Sequence, residues 1–346
     1  MKIAVLTSGG VDSSVALRLL HQQGHDLTAF YLKIWLEDEL SYLGECPWEE
    51  DLAYVRQICD EIGVSLEVIP MQKEYWERVV EYTVVEAKAG RTPNPDVLCN
   101  QQIKFGQFYE VIDATYEKVA TGHYAQVEET DKGFVLKRAP DPVKDQTYFL
   151  AQISQEQLSR ALFPIGSYNK EEVRRLAQEF NLPNQDRKDS QGICFLGKIP
   201  FRDFLKHHLG ENPGDFVNLD TGEKVGEHLG YWFYTIGQRQ GLGLSGGPWF
   251  VVKKDIAKNI IYLAQGYEPD EVYRSEFEVG AIHLINNQFP IPDDRLKVKI
   301  RHGAALHECQ VNGNRVILKE PVHGVAAGQF AVFYDGDVCL GSAVII

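Results

Sequence analysis

The sequence predicts an α/β protein: a doubly wound parallel-sheet domain, then a small central domain and a C-terminal β-barrel. Three observations predict it. Residues 2–7 are apolar and run straight into Ser8-Gly9-Gly10, as a buried strand does when it turns into a helix. Strand-like and helix-like segments then alternate as far as residue 124, the pattern of a parallel sheet covered by helices. From about Ser275 to Ile346 nearly every segment alternates apolar and polar residues between glycine turns, as in Lys297-Val298-Lys299-Ile300-Arg301 and Ala331-Val332-Phe333-Tyr334. A small barrel suits such a run, because closure removes exposed strand edges.

The elements follow in order. Residues 13–23 read as a helix with Val15, Leu19 and Leu20 on one face, and 27–32 as a second strand. Residues 51–62 place Leu52, Val55, Cys59 and Ile62 at helical spacing, closed by Gly63 as a C-terminal cap. A third strand is expected over 64–69, a long helix over 75–88, and a further strand over 118–121 that ends at Gly122-His123. Ligands of doubly wound sheets sit beyond the carboxyl ends of the strands. Residues 7–14, the surroundings of Leu32 and residues 121–124 all fall there. After Phe201 glycine and aromatic residues rise and short strands appear, such as Trp249-Phe250-Val251-Val252. The expected domains are therefore 1–200, 201–274 and 275–346.

Composition narrows the class. A chain of 346 residues suggests two or three domains at roughly 150 residues each. Its 44% hydrophobic and 24% charged residues are ordinary for a soluble globular protein. There is no apolar run of about 18 residues to span a membrane, and the short apolar N-terminus enters a glycine turn, unlike a signal peptide. A reducing, cytoplasmic setting is expected, in which structural disulfides are not the default. The six cysteines (Cys46, Cys59, Cys99, Cys194, Cys309, Cys339) form no close C-x-x-C pair, which argues against a zinc finger.

The net charge of −14 argues, by itself, against a nucleic-acid partner. The charge is uneven, however. Residues 37–51 carry Glu37, Asp38, Glu39, Glu45, Glu49, Glu50 and Asp51 with no Lys or Arg. Basic residues gather at Arg187-Lys188, at Lys198, Arg202, Lys206, His207 and His208, and at Lys297, Lys299, Arg301 and His302. Either these are scattered solvated charges or they form a local basic face.

The run Ser8-Gly9-Gly10-Val11-Asp12-Ser13-Ser14 reads as the phosphate loop of an enzyme that splits ATP to AMP and pyrophosphate. A strand that turns through glycines into a helix offers free N–H groups at a positive helix end. Asp12 suits a Mg²⁺ that travels with the phosphates. Two other glycine strings are decoys. Residues 192–199 approach a Walker A loop, but Ile199 lacks the hydroxyl for Mg²⁺ and Pro200 follows. Residues 241–246 match G-x-G-x-x-G, but Gly247-Pro248 and a strand follow where a helix is required.

Cys99 lies in Gly90-Arg91-Thr92-Pro93-Asn94-Pro95-Asp96-Val97-Leu98-Cys99-Asn100, expected to be an irregular loop. Cys194 lies in a second glycine-bounded segment, Lys188-Asp189-Ser190-Gln191-Gly192-Ile193-Cys194-Phe195-Leu196-Gly197. Cysteines in loops near charged groups are candidate reactive thiols, with packing as the alternative. Two that meet over an ATP site suggest persulfide and disulfide chemistry, one attacking and the other resolving. Cys59, Cys309 and Cys339 fit a core role, and Cys46 is ambiguous.

These motifs together resemble the bacterial tRNA-specific 2-thiouridylases. The resemblance runs from Ile3 to about Ala343 and rests on SGGVDSS, GRTPNPDVLCN, ATGHYA, KDQTYFL, KDSQGICFLG, GQRQGLG and the terminal GQFAVFY. It implies an ATP-pyrophosphatase domain, a central domain and a barrel that together put sulfur on C2 of the wobble uridine (position 34) of tRNA through an adenylated intermediate. It implies ATP phosphates on Leu6, Thr7, Ser8, Gly9, Gly10, Val11, Asp12 and Ser13, with the adenosine near Leu32 and Gly122. The attacking and resolving thiols fall on Cys99 and Cys194. Asn94-Pro95-Asp96 matches the segment that meets the target base, with Asp96 able to serve as acid or base. His123, Lys144-Asp145-Gln146, Arg301-His302 and Gln329 match positions that touch tRNA. Gln102 and Thr7 depart from residues common in the family without removing a required group. ATP, Mg²⁺, a sulfur-donor protein (a cysteine desulfurase or sulfur carrier) and a monomeric free enzyme are implied. An iron–sulfur cluster on Cys99, Cys194 and Asp96 is the minor alternative. Outside the family, the rivals are an amide-forming ATP-pyrophosphatase, which needs no cysteine pair, and a non-catalytic RNA-binding protein.

Overall fold

The computed structural model describes residues 1–34, 48–188, 199–267, 269–286, 295–303 and 305–346. Cys46, Cys194, Lys198, the acidic residues 37–45 and most of the near-Walker string lie outside the described residues.

The first strand, β1 (Lys2–Leu6), belongs to a five-stranded parallel sheet with β2 (Asp26–Lys33), β3 (Ser65–Pro70), β4 (Lys118–Ala120) and β7 (Ala161–Leu162). The spatial order is β3-β2-β1-β4-β7, and every pairing is parallel. Side chains alternate across a strand, and both faces of β1 are covered. Ile3 and Val5 pack with Val15 and Leu20 of helix α1 (Val11–Gln22), while Ala4 and Leu6 pack into the opposite core with Phe30 and Tyr75. Because β2 and β4 flank β1, the strand order reverses there, which opens a crevice at its carboxyl end.

Helix α2 (Trp48–Ile62) buries Leu52, Val55, Ile58 and Cys59, and begins three residues before the position expected from sequence. The predicted long helix is a continuous run, α3, of three segments: Gln72–Tyr75, Trp76–Val80 and Glu81–Lys88, the middle one π-helical.

The expected irregular loop around Cys99 is instead mostly helical. It comprises Pro95–Leu98, a π-helical stretch Cys99–Gln107 and Phe108–Val111, here called α4. Proline suits helix starts as well as loops. At the first helical position it loses only an N–H that has no intrahelical partner, so Pro95 marks a helix start.

A hairpin not expected from the sequence, β5 (Ala125–Thr130) and β6 (Gly133–Arg138), leaves the parallel sheet and joins the C-terminal strands. Those strands are β12 (Tyr273–Glu278), β13 (His283–Leu284), β14 (Leu296–Lys299), β15 (His307–Asn312), β16 (Arg315–His323), β17 (Phe330–Asp335) and β18 (Val338–Val344). Their order is β12-β16-β15-β14-β17-β18-β6-β5. The ring closes where Val279 bridges Ile345 and Ile346 N–H donates to Glu278 O at 2.9 Å. Inside lie Phe277, Val298, Val316, Phe333 and Cys309, the last in the core role expected of it.

The central region pairs β8 (Gly214–Asn218), β9 (Lys224–His228), β10 (Trp249–Asp255) and β11 (Ile260–Gln265) in the order β10-β11-β8-β9. Its core is aromatic: Phe216, Tyr231, Tyr234 and Trp249. Residues 241–246 form turns that lead into β10 and not into a helix, which agrees with rejecting them as a dinucleotide motif. No helix among the described residues is long and apolar enough to cross a membrane.

Candidate functional site

The phosphate loop hangs between β1 and α1. Gly10 is the N-terminal cap of α1 and brings no side-chain hydrogen bond, so the N–H groups of the first turn are open to an anion. The loop hydroxyls turn inward. Ser13 Oγ and Ser14 Oγ each donate to Gly10 O at 3.0 Å, and Ser8 N–H donates to Ser13 Oγ at 3.1 Å. Gly9 adopts φ +73°, and a Cβ there would lie 2.6 Å from Asp51 O, so no side chain fits. Its carbonyl accepts from Asn184 Nδ2 (2.8 Å) and from the Arg187 guanidinium (3.1 Å). Gly122, just after β4, lies against the backbone of Asp12 and Ser13. Leu32 is half-buried near the end of β2. The three turn segments expected at the strand ends therefore lie there.

Asp12 is not an isolated carboxylate waiting for a metal. Its Oδ1 accepts from Lys170 Nζ at 2.7 Å and from Tyr124 OH at 2.9 Å. Lys170 is the first residue of α5 (Lys170–Glu179), a helix fixed by a capping box between Asn169 and Glu172. Sequence reasoning missed Lys170 and Asn184, which no short motif carries, and Tyr124, which lies inside ATGHYA without standing out there; only the fold brings the three to the loop. Both bonds fall on Oδ1, so the other carboxylate oxygen would be the one to hold a Mg²⁺ that arrives with phosphates.

Cys99 opens the π-helical part of α4, close to the Asn94-Pro95-Asp96 segment. It is 1% exposed and packs in the core that contains Leu6, Tyr75 and Phe105. Burial raises its pKa above the ordinary thiol value, and Lys104 and a hydrogen bond with Tyr75 only partly oppose this. The exposed, electropositive setting expected of a reactive thiol is therefore not its setting in this conformation. Asn94 and Asp96 are half-buried, and Pro95 is buried.

The expected tRNA positions divide into two groups. Arg301 and His302 are exposed, and the His302 ring lies 4.3 Å from that of Phe149. Partial desolvation, with Lys299 nearby, lowers the His302 pKa. Lys144 and Gln146 are half-buried, and Gln146 Oε1 accepts from Tyr124 N–H at 2.9 Å. The others are internal. His123 is 8% exposed, its Nδ1 lies 2.7 Å from Thr121 Oγ1, and desolvation followed by Lys104 holds its pKa well below the ordinary histidine value. The Asp145 carboxylate is fully buried and bonded to Lys299 Nζ (2.9 Å), Arg138 Nε (3.0 Å) and Thr147 Oγ1 (2.8 Å). Gln329 reaches into the 92–94 segment, donating from Nε2 to Thr92 O at 3.0 Å.

The basic segments are divided: Lys299 is buried and Arg187 half-buried on internal partners, while Lys188, Arg202, Lys206, Arg301 and His302 are exposed. Arg187 pairs with Asp51 and Glu50, Lys206 pairs with Glu211 at 2.6 Å, and Lys299 is buried on Asp145. Arg202 lies over the rings of Phe233 and Tyr234. Arg187 and Lys299 therefore serve the fold through their internal pairs.

Known families match along the chain. Residues 1–198 match the model described as tRNA methyl transferase HUP domain, 202–265 that of the tRNA methyl transferase PRC-barrel domain, and 274–345 that of the aminomethyltransferase beta-barrel domain. A protein named tRNA-specific 2-thiouridylase MnmA from Parabacteroides distasonis is 47% identical over 100% of this chain and 99% of its own. The protein named tRNA-specific 2-thiouridylase MnmA 1 from Bacteroides thetaiotaomicron is 48% identical with the same coverage. Among solved structures, the U34-tRNA thiolase NcsA from Methanococcus maripaludis shares 17% identity at a TM-score of 0.36, covering 60% of this chain and 67% of that one, too little to bear on function.

Proposed function

Because the chain belongs to the tRNA-specific 2-thiouridylase family, we propose that it is a tRNA-uridine 2-sulfurtransferase, using ATP and Mg²⁺ to replace the C2 oxygen of the wobble uridine (position 34) by sulfur. The observation that carries the ATP half is the uncapped helix end after β1, with Gly122 against its first turn at the point where strand order reverses. An anion fits there, and the Asp12–Lys170 pair supplies both a metal-seeking oxygen and a phosphate-seeking cation.

The chemistry follows from leaving groups. The C2 oxygen of uridine leaves poorly. Its attack on the α-phosphorus of ATP expels pyrophosphate and converts that oxygen into part of AMP, a good leaving group. Oriented N–H groups and the cation stabilise the charge that develops on the pyrophosphate. A persulfide on Cys194, loaded by a sulfur-donor protein, attacks C2 with its terminal sulfur and displaces AMP. Cys99 thiolate then attacks the Cys194 sulfur, the S–S bond breaks, and 2-thiouridine leaves behind a Cys99–Cys194 disulfide that a thiol reductant resets. In the other order, Cys99 takes the sulfur first. Asp96 sits beside the base as acid or base. Both cysteines thus serve thiol chemistry and not an iron–sulfur cluster, and the enzyme is a cytoplasmic monomer when free.

Purified protein, ATP, Mg²⁺, a persulfide source and unmodified tRNA should yield 2-thiouridine by nucleoside mass spectrometry, in an iron-free preparation. Cys194→Ser should abolish thiolation and leave ATP binding intact. Full activity in that variant would refute the assignment.

A further inference from the structure

We propose that Gln329 is a positioning residue: from the barrel it holds residues 92–96 in the conformation that presents Asn94 and Asp96 to the base. This rests on the reading of residues 94–96 as the base-binding segment.

The segment cannot hold itself. Pro93 and Pro95 have no N–H, and Asn94 caps α4 without a side-chain hydrogen bond to it. Thr92 and Pro93 precede the helix, and their carbonyls find a donor in another part of the fold. Gln329 Nε2 donates to Thr92 O at 3.0 Å and to Pro93 O at 3.2 Å. Its Oε1 accepts from Asn94 Nδ2 and from Tyr148 OH, each at 3.4 Å. Thr92 N–H donates in turn to Ala327 O at 2.7 Å. Gly328 allows the approach: a Cβ there would lie 2.9 Å from Thr92 N and O.

The turn that carries Gln329 is itself anchored in the closed ring. Gly328 N–H donates to Ile345 O, and Ile345 N–H donates to Gln329 O, both at 2.8 Å. A side chain 235 positions from Asn94 thus sets the backbone that leads into α4 and Cys99. The direction of the amide is also determined. Its hydrogens face carbonyl oxygens, so a carboxylate of the same shape would meet those oxygens with the wrong sign. A direct bond from these hydrogens to tRNA would first have to break the ones they make now.

The test compares Gln329→Ala and Gln329→Glu with wild type in steady-state thiolation, and follows amide hydrogen exchange over residues 96–100. Loss of both hydrogen bonds to the segment should lower kcat by roughly tenfold or more, with KM for tRNA nearly unchanged. Exchange over 96–100 should quicken in both variants. Gln329→Glu should be as impaired as Gln329→Ala at neutral pH and regain activity relative to wild type toward about pH 5, where a protonated acid can donate to Thr92 O. Gln329→Asn keeps the amide but is one methylene short, and should show the same split if Gln329→Ala does not fold. A raised KM for tRNA with wild-type kcat would mean direct tRNA contact and would overturn the proposal, as would wild-type exchange. If the wild-type protein does not thiolate tRNA, the functional reading fails. The exchange experiment still decides whether Gln329 orders the segment.

Discussion

Lys170 Nζ and Asp12 Oδ1 lie 2.7 Å apart at the mouth of the phosphate loop, although 158 positions separate them in sequence. The pair neutralises a carboxylate at the start of α1 and places a cation beside the loop. Lys170→Met should weaken Mg²⁺-ATP binding by about tenfold to a hundredfold, the range of a charge-assisted hydrogen bond of roughly 1.5–3 kcal/mol. Lys170→Arg should recover part of it. Titration calorimetry with a non-hydrolysable ATP analogue checks this, and unchanged affinity in Lys170→Met would rule the role out.

Cys99 should be a slow thiol in the free protein. It is buried, and its raised pKa keeps it protonated at neutral pH. Alkylation by iodoacetamide at about pH 7.5, followed by peptide mass spectrometry, should label Cys99 much more slowly than an unfolded control. Adding tRNA and ATP should speed it. Rapid labelling of the free enzyme would mean that no opening step is needed.

The Asp145–Lys299 pair joins the segment after β6 to the barrel, and both side chains are buried. Lys299→Met should destabilise by about 3 kcal/mol in urea unfolding, since removing one partner strands a buried charge that Arg138 and Thr147 still partly satisfy. Burial works against the Asp145 charge, yet Lys299, Thr147 and Arg138 hold its pKa below the ordinary carboxylate value. Its folded pKa is depressed, so its contribution is present above the unfolded value of about 3.9 and is lost as pH falls through the folded value. The acid limb of the wild-type stability curve should therefore be steeper than that of Asp145→Asn.

Arg301 and Lys299 sit two residues apart in opposite settings, one exposed and one 3% exposed. Arg301→Ala should weaken tRNA binding and reduce the slope of log K against log salt by about one. Lys299→Met should leave that slope unchanged where the variant remains folded. Filter binding at several salt concentrations separates the two, and equal effects would return Lys299 to the RNA surface.

The parts legible in the sequence are those that repeat or are compact along it. The strand–glycine–helix unit at 2–14 and the alternation after Ser275 each carry a local period. The β5–β6 hairpin has the same signal, alternation around a turn at Asp131-Lys132-Gly133, but it is masked by its place among helices and parallel strands. Pro93 and Pro95 resemble loop residues because proline marks both loops and helix starts. The partners of Asp12, Asp145 and Gln329 have no local signal. Lys170, Lys299 and Thr92 reach them only after the sheet and barrel are built. A cation in a basic run looks the same whether it faces water or a buried carboxylate.

The pairing of β6 with β18 has a consequence for synthesis. Leu136 pairs with Cys339 and Lys137 with Val338, partners that the ribosome adds ~200 residues later. At roughly 5–20 residues per second, the outer edge of β6 waits about 10–40 s for its partner strand. Throughout that time the nascent chain presents an unpaired edge, the kind of surface that recruits a wrong neighbour. Part of that edge is sheltered early. Gln155, only 21 positions beyond Phe134, accepts from Phe134 N–H and donates to Phe134 O, both at 2.7 Å. A glutamine side chain thus stands in for a strand at one end of the edge, while the other end stays open until the last long strand emerges. The N-terminal portion therefore cannot mature as a finished module while the rest of the chain is still being made.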